Sequence, residues 1–96
     1  MPRREVRPRP VDGDERRVVF VTDVAHLTRG PVVRAPGTLG PLIEYGVLRR
    51  VEVVADGVAA ELAEPHSWLD HGPRIRDAVR LAVDLGGWEV TDEGAP

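Results

Sequence analysis

The chain has 96 residues, 42% of them apolar and 30% charged, with a formal net charge of −3. That length suits one domain with a modest core, and the slight negative charge gives no general pull towards nucleic acid or anionic membrane. Cysteine is absent, which excludes disulfides and thiolate metal ligation within the chain, and no apolar run approaches the ~20 residues that span a bilayer.

Residues 1–16, MPRREVRPRPVDGDER, hold three prolines and mixed charge without periodicity, and are expected to be a disordered N-terminal arm. Arg3, Arg4, Arg7 and Arg9 could grip an acidic partner, but Glu5, Asp12, Asp14 and Glu15 nearly cancel them. No apolar stretch follows these arginines, so no secretory signal is expected and the protein is expected to be soluble and cytoplasmic. All 13 basic residues are arginine, and lysine, asparagine and glutamine are missing. The planar fork of arginine suits phosphate and carboxylate. Codon usage in a GC-rich genome explains the same bias more simply.

Arg17 to Thr22, RVVFVT, is β-branched and aromatic and reads as a central strand, apolar on both faces. Thr22 or Asp23 can cap a short helix through Ala25, His26 and Leu27 that ends at Gly30-Pro31. Val32 and Val33 lead into a loop, Arg34 to Gly37. A second short helix is expected over Leu39 to Tyr45, with Thr38 as N-cap, Gly46 at its end and Leu39, Leu42 and Ile43 as its buried stripe.

Val47 to Ala63, VLRRVEVVADGVAAELA, reads as a β-hairpin about a two-residue type I′ turn at Asp56-Gly57. Ala55 then faces Val58, Val53 faces Ala60 and Val51 faces Leu62, a coherent apolar face. On the other face Glu52 opposes Glu61. Two carboxylates so placed could share a proton or hold a cation; a solvated outer face is the simpler reading.

Glu64 to Gly72 connects to the main helix, Arg74 to Leu85, with Pro73 at its first position. Ile75, Ala78, Val79, Ala82 and Val83 recur at i, i+3, i+4, i+7 and i+8, an amphipathic stripe. Trp88 to Thr91 forms a last strand and residues 92–96 fray. Residues 17–91 are thus expected to form a single α+β domain. Its order is β-α-α-β-β-α-β, a three- or four-stranded sheet with helices packed on one face.

Chemistry is sparse. His66, Asp70 and His71, before the main helix, could supply nitrogen and oxygen ligands to zinc or iron, although a helix N-terminus disfavours a cation. Ser67 beside these histidines lacks a nucleophile elbow and is better read as a cap. His26 reads as a helix-surface residue, and Trp68 and Trp88 as core anchors. No cofactor and no catalytic set is implied. Gly37-Thr38-Leu39-Gly40 matches the GXXG that KH-type RNA-binding domains place between two helices to clamp a nucleic-acid backbone. The loop has no basic residue inside it, and Pro31 to Pro36 separates it from the first helix.

Leu42 to Val51, LIEYGVLRRV, resembles the I-V-D-L-G-L-V-x-x-V segment of iron–sulfur cluster assembly domains. These are the small α/β modules related to the NifU C-terminal domain and the metal–sulfur cluster biosynthesis family. The likeness extends thinly over residues 23–91: Ala35-Pro36-Gly37 stands where the family has Asp-Pro-Glu, followed by the hairpin, Ile75 to Val83 as terminal helix and Trp88-Glu89-Val90 as last strand. The family's functional cysteine falls just after the hairpin, where this chain has Pro65-His66-Ser67, so no cluster ligand transfers. What the resemblance implies is a non-enzymatic accessory domain that works by contact with a protein partner. A homodimer through an exposed strand edge is a further possibility.

Overall fold

The structure, a computed structural model, describes residues 4–91. Its first turn uses the other Asp-Gly of the chain. Asp12-Gly13 joins β1 (Arg7–Val11) to β2 (Asp14–Val21), with Gly13 at φ +80°, where a side chain is disfavoured. Residues 7–16 are therefore strand, turn and strand rather than a disordered arm. Their prolines are compatible with this because β1 is the edge of the sheet. Proline has no N–H, so Pro8 and Pro10, opposite Phe20 and Val18, take non-hydrogen-bonded positions while Arg7 and Arg9 bond β2. The outer edge of β1 thus lacks two donors that an incoming strand would need.

The second hairpin joins β4 (Leu48–Val54) to β5 (Gly57–Leu62), but about Ala55-Asp56. Val54 faces Gly57, Val53 faces Val58 and Val51 faces Ala60. The expected pairing is displaced by two residues, which conserves side-chain parity. Val51, Val53, Val58, Ala60 and Leu62 of the expected inward set are therefore still inward and buried, whereas Ala55 is drawn into the turn and exposed. Gly57 has no positive φ. It is glycine because β2 passes so close that a Cβ would lie 2.2 Å from the Phe20 carbonyl oxygen.

With β3 (Gly30–Arg34) and β6 (Glu89–Val90) the sheet has six strands, ordered β1-β2-β5-β4-β3-β6, and every pairing is antiparallel. This corrects the expected fold class of a three- or four-stranded sheet in the order β-α-α-β-β-α-β: the order is β-β-β-α-β-β-α-β. The first expected helix is only a turn. The Asp23 carboxylate accepts from the Ala25 N–H at 3.0 Å, and Leu27 N–H donates to Val24 C=O at 2.9 Å. Such local bonding satisfies the backbone without a helix.

Two helices remain, α1 (Leu39–Glu44) and α2 (Trp68–Val83). α2 starts six residues before Arg74, because Ser67 caps it by accepting from Leu69 N–H at 3.1 Å. Pro73 consequently lies inside the helix. Ile75, Ala78, Val79, Ala82 and Val83 are buried, as their spacing predicts, in one cluster with Phe20, Leu39, Leu48 and the hairpin's inward set. Burial of each larger member is worth about 1.5–3 kcal/mol. The expected fraying of residues 92–96 lies outside the described residues.

Candidate functional site

The sheet and the stripe of α2 fix the two helices side by side, and the flanks they turn to each other have matching spacing. Thr38, Pro41, Leu42 and Tyr45 follow one another at i, i+3, i+4 and i+7 around α1, and Arg74, Asp77, Ala78 and Leu81 do the same on α2. Residues so spaced share a helix face. With Val47 they line a groove of about 670 Å³. Leu42 and Ala78 are buried at its base, whereas Tyr45 is 82% exposed and Leu81 59% exposed. Gly46, at φ +77°, ends α1 and sends the chain into β4, which leaves Tyr45 at the lip.

The charges of the groove are unequal. Asp77 is engaged by Arg80 at 3.0 Å and more loosely by Arg76 at 3.8 Å. The side chain of Arg74 makes no ion pair or hydrogen bond among the described residues. The charge left over for a partner is therefore positive.

The residues singled out from the sequence lie elsewhere. His66 and His71 do meet, Nδ1 to Nε2 at 3.2 Å with their rings nearly perpendicular. Asp70 is exposed on the first turn of α2, and among the described residues no group of three or more His, Cys, Asp or Glu is placed to hold a metal ion. The expected trio is thus not assembled. The backbone of His66 is held instead by Arg16, whose guanidinium donates to the carbonyls of Ala63 at 2.8 Å and His66 at 2.7 Å.

Gly37-Thr38-Leu39-Gly40 joins β3 to α1 rather than helix to helix. Gly37 has φ +64°, Leu39 is fully buried, and a Cβ on Gly40 would meet the Ala35 carbonyl oxygen at 2.6 Å. Both glycines answer to the backbone of this fold. The Glu52–Glu61 pair does not form either. Glu52 faces Ala59 and bonds Arg17 at 3.2 Å, while Glu61 faces Arg50 and pairs with Arg49 at 3.5 Å.

His26 and Trp88 have a role that their sequence neighbourhood does not reveal. His26 Nε2 donates to Val83 C=O at 2.8 Å, which fixes the proton on that nitrogen, and Trp88 Nε1–H donates to Ala82 C=O at 2.9 Å. His26 thus satisfies a carbonyl that the end of α2 leaves open, while Trp88 adds a second bond to the Ala82 carbonyl, which already accepts from Leu85 N–H at 3.0 Å. The groove itself was unread in the sequence, though the paired i, i+3, i+4, i+7 sets of residues 38–45 and 74–81 carried its signal.

No family model matches the chain, and no curated protein and no solved structure matches it. No helix among the described residues is long and apolar enough to cross a membrane.

Proposed function

We propose that this chain is a protein-interaction module, without a reaction of its own, that seats an amphipathic helix of a partner protein between α1 and α2. The observation that carries the reading is the groove: two helix flanks of equal spacing, a buried apolar base, and Tyr45 and Leu81 exposed at the lips. Helix-in-groove recognition uses apolar anchors repeating at i, i+3, i+4 and i+7. The unpaired Arg74 favours an acidic residue beside those anchors. Leu42, Tyr45 and Val47 belong to the run that resembles iron–sulfur cluster assembly domains, which supports an accessory role of that kind, exercised through protein contact rather than cluster ligation.

A photoreactive phenylalanine at position 45, activated in the native host, should join the chain to one partner protein. A peptide covering the joined helix should then bind the purified chain in calorimetry. Leu81→Arg should weaken that binding by about 2 kcal/mol, roughly 30-fold, as expected when an apolar contact is replaced by a charge that the bound helix would bury. Arg74→Glu should weaken it further in low salt than in high salt. Crosslinking to a second copy of the chain alone, or binding indifferent to Leu81→Arg, would refute the proposal.

A further inference from the structure

The opposite flank of α2 bounds a second cavity, of about 260 Å³, against β1 and β2. Its walls are apolar and stiff: Pro8 of β1, Val18 and Phe20 of β2, and Trp68 and Pro73 of α2. The Phe20 and Trp68 rings stand 5.8 Å apart at a tilt of 56°, and Trp68 is pinned by donating its indole N–H to Arg16 C=O at 3.0 Å. The aromatic wall is therefore in place before anything binds.

Among the described residues one charged side chain reaches this cavity, that of Arg76. Its Nε is buried without a hydrogen-bond partner among the described residues, and the Asp77 carboxylate lies 3.8 Å away and is already bonded to Arg80 at 3.0 Å. Arg4, Arg16 and Arg80, by contrast, each donate to backbone carbonyls. The buried Nε is closed to a ligand, but the Arg76 side chain as a whole is 41% exposed, so its terminal nitrogens can meet a carboxylate, whose two oxygens a guanidinium binds best. A mostly apolar pocket with one orienting charge is the usual build of a small-molecule site.

We infer that this cavity binds a small carboxylic acid with a flat apolar body, a monocyclic aromatic carboxylate, its ring against Phe20, Trp68 and Pro8 and its carboxylate on Arg76. The volume falls below the range of about 300–1,000 Å³ for drug-sized ligands, which limits the body to one ring. Arg76 is two residues from Arg74, about 200° around the helix, so this site is separate from the groove.

Benzoate and its neutral isostere benzamide are the probes, read by nitrogen–proton NMR of the full chain. Benzoate at millimolar concentration should move the indole N–H signal of Trp68 and leave that of Trp88, which lies at the other end of α2. Benzamide should bind at least tenfold more weakly, and Arg76→Gln should weaken benzoate by a similar factor. Gly72→Leu is the second variant. Gly72 lines the cavity, and a Cβ there meets nothing within 4 Å, so a leucine can branch there without a clash at its Cβ and should weaken the Trp68 shift. No Trp68 shift in the parent protein, equal affinity for benzoate and benzamide, or unchanged benzoate binding in Arg76→Gln would each overturn the inference.

Discussion

Alanine at position 57 separates two accounts of the β4–β5 hairpin. In a type I′ turn, glycine supplies a positive φ, and alanine would cost about 1–2 kcal/mol. In the structure Gly57 lies within β5 opposite Val21, without a positive φ. Its Cβ would meet Phe20 O at 2.2 Å, Phe20 C at 2.9 Å and Val21 Cα at 3.0 Å. All three are backbone atoms of β2, which is paired on both sides, so no side chain can swing away to make room. One strand must shift, and such overpacking costs about 1–3 kcal/mol or more. The shift also strains the bond from Thr22 N–H to Asp56 C=O, 3.0 Å long, of a kind worth about 1 kcal/mol. The expected loss is about 2–4 kcal/mol, which at about 4–8 °C per kcal/mol lowers Tm by at least about 8 °C. Urea unfolding, followed by the fluorescence of Trp68 and Trp88, measures it. Gly46→Ala is the reference, because Gly46 has φ +77° but nothing within 4 Å of its Cβ, so only the conformational cost of about 1–2 kcal/mol applies. If Gly57→Ala proves no costlier than Gly46→Ala, the close-approach account is wrong.

Pro8→Thr with Pro10→Thr restores two outward N–H groups to the β1 edge, and sedimentation should show concentration-dependent self-association; a variant as monodisperse as the parent would mean the prolines do not guard that edge. Ile75→Ala, at a fully buried site, should cost about 2–5 kcal/mol in the same urea assay, and a loss below 1 kcal/mol would contradict the packing of α2 on the sheet. A hydrogen bond from the Arg4 guanidinium, outweighing the opposing effect of burial, holds the Asp84 carboxyl below the usual carboxylate range. Its pKa is therefore lower folded than unfolded, so its contribution is complete above the unfolded value of about 4 and is lost as pH falls towards the folded one. Asp84→Asn should accordingly flatten the fall in unfolding midpoint between roughly pH 5 and pH 2, and an unchanged profile would show that the pair adds nothing.

What the sequence disclosed of the fold is what depends on periodicity. The stripe of Ile75, Ala78, Val79, Ala82 and Val83 and the inward valines of the hairpin could be read because each is set by local geometry with one solution. The register could not, since both Asp56-Gly57 and Ala55-Asp56 give a two-residue loop and differ in the inward set only at Ala55. The choice was made by β2, through the contact between Gly57 and Phe20, which local sequence does not contain. β1 was hidden for the opposite reason. Proline and arginine at high density suggest disorder, and they become a strand only because its partner bonds the arginines and leaves the prolines on the free edge.

The sites were harder to read because both lie between elements distant in the chain. Arg76 and Pro8 are far apart in sequence, and nothing near either marks them as neighbours until β1 pairs with β2 and α2 crosses behind. Residues with conspicuous chemistry misled in the same way: His26 and Ser67 are occupied by the ends of α2, the first through its ring and the second as its cap, and the His66 carbonyl is held by Arg16 of β2. A helix of 16 residues that packs one stripe on a sheet must have its open N–H and C=O groups satisfied at both ends. Polar side chains nearby are drawn into that task first. The flanks of α2 are under no such demand, which is why Arg74 and Arg76, whose side chains make no hydrogen bond among the described residues, stand there, one beside each cavity, and why binding is to be sought along the sides of this helix rather than at its tips.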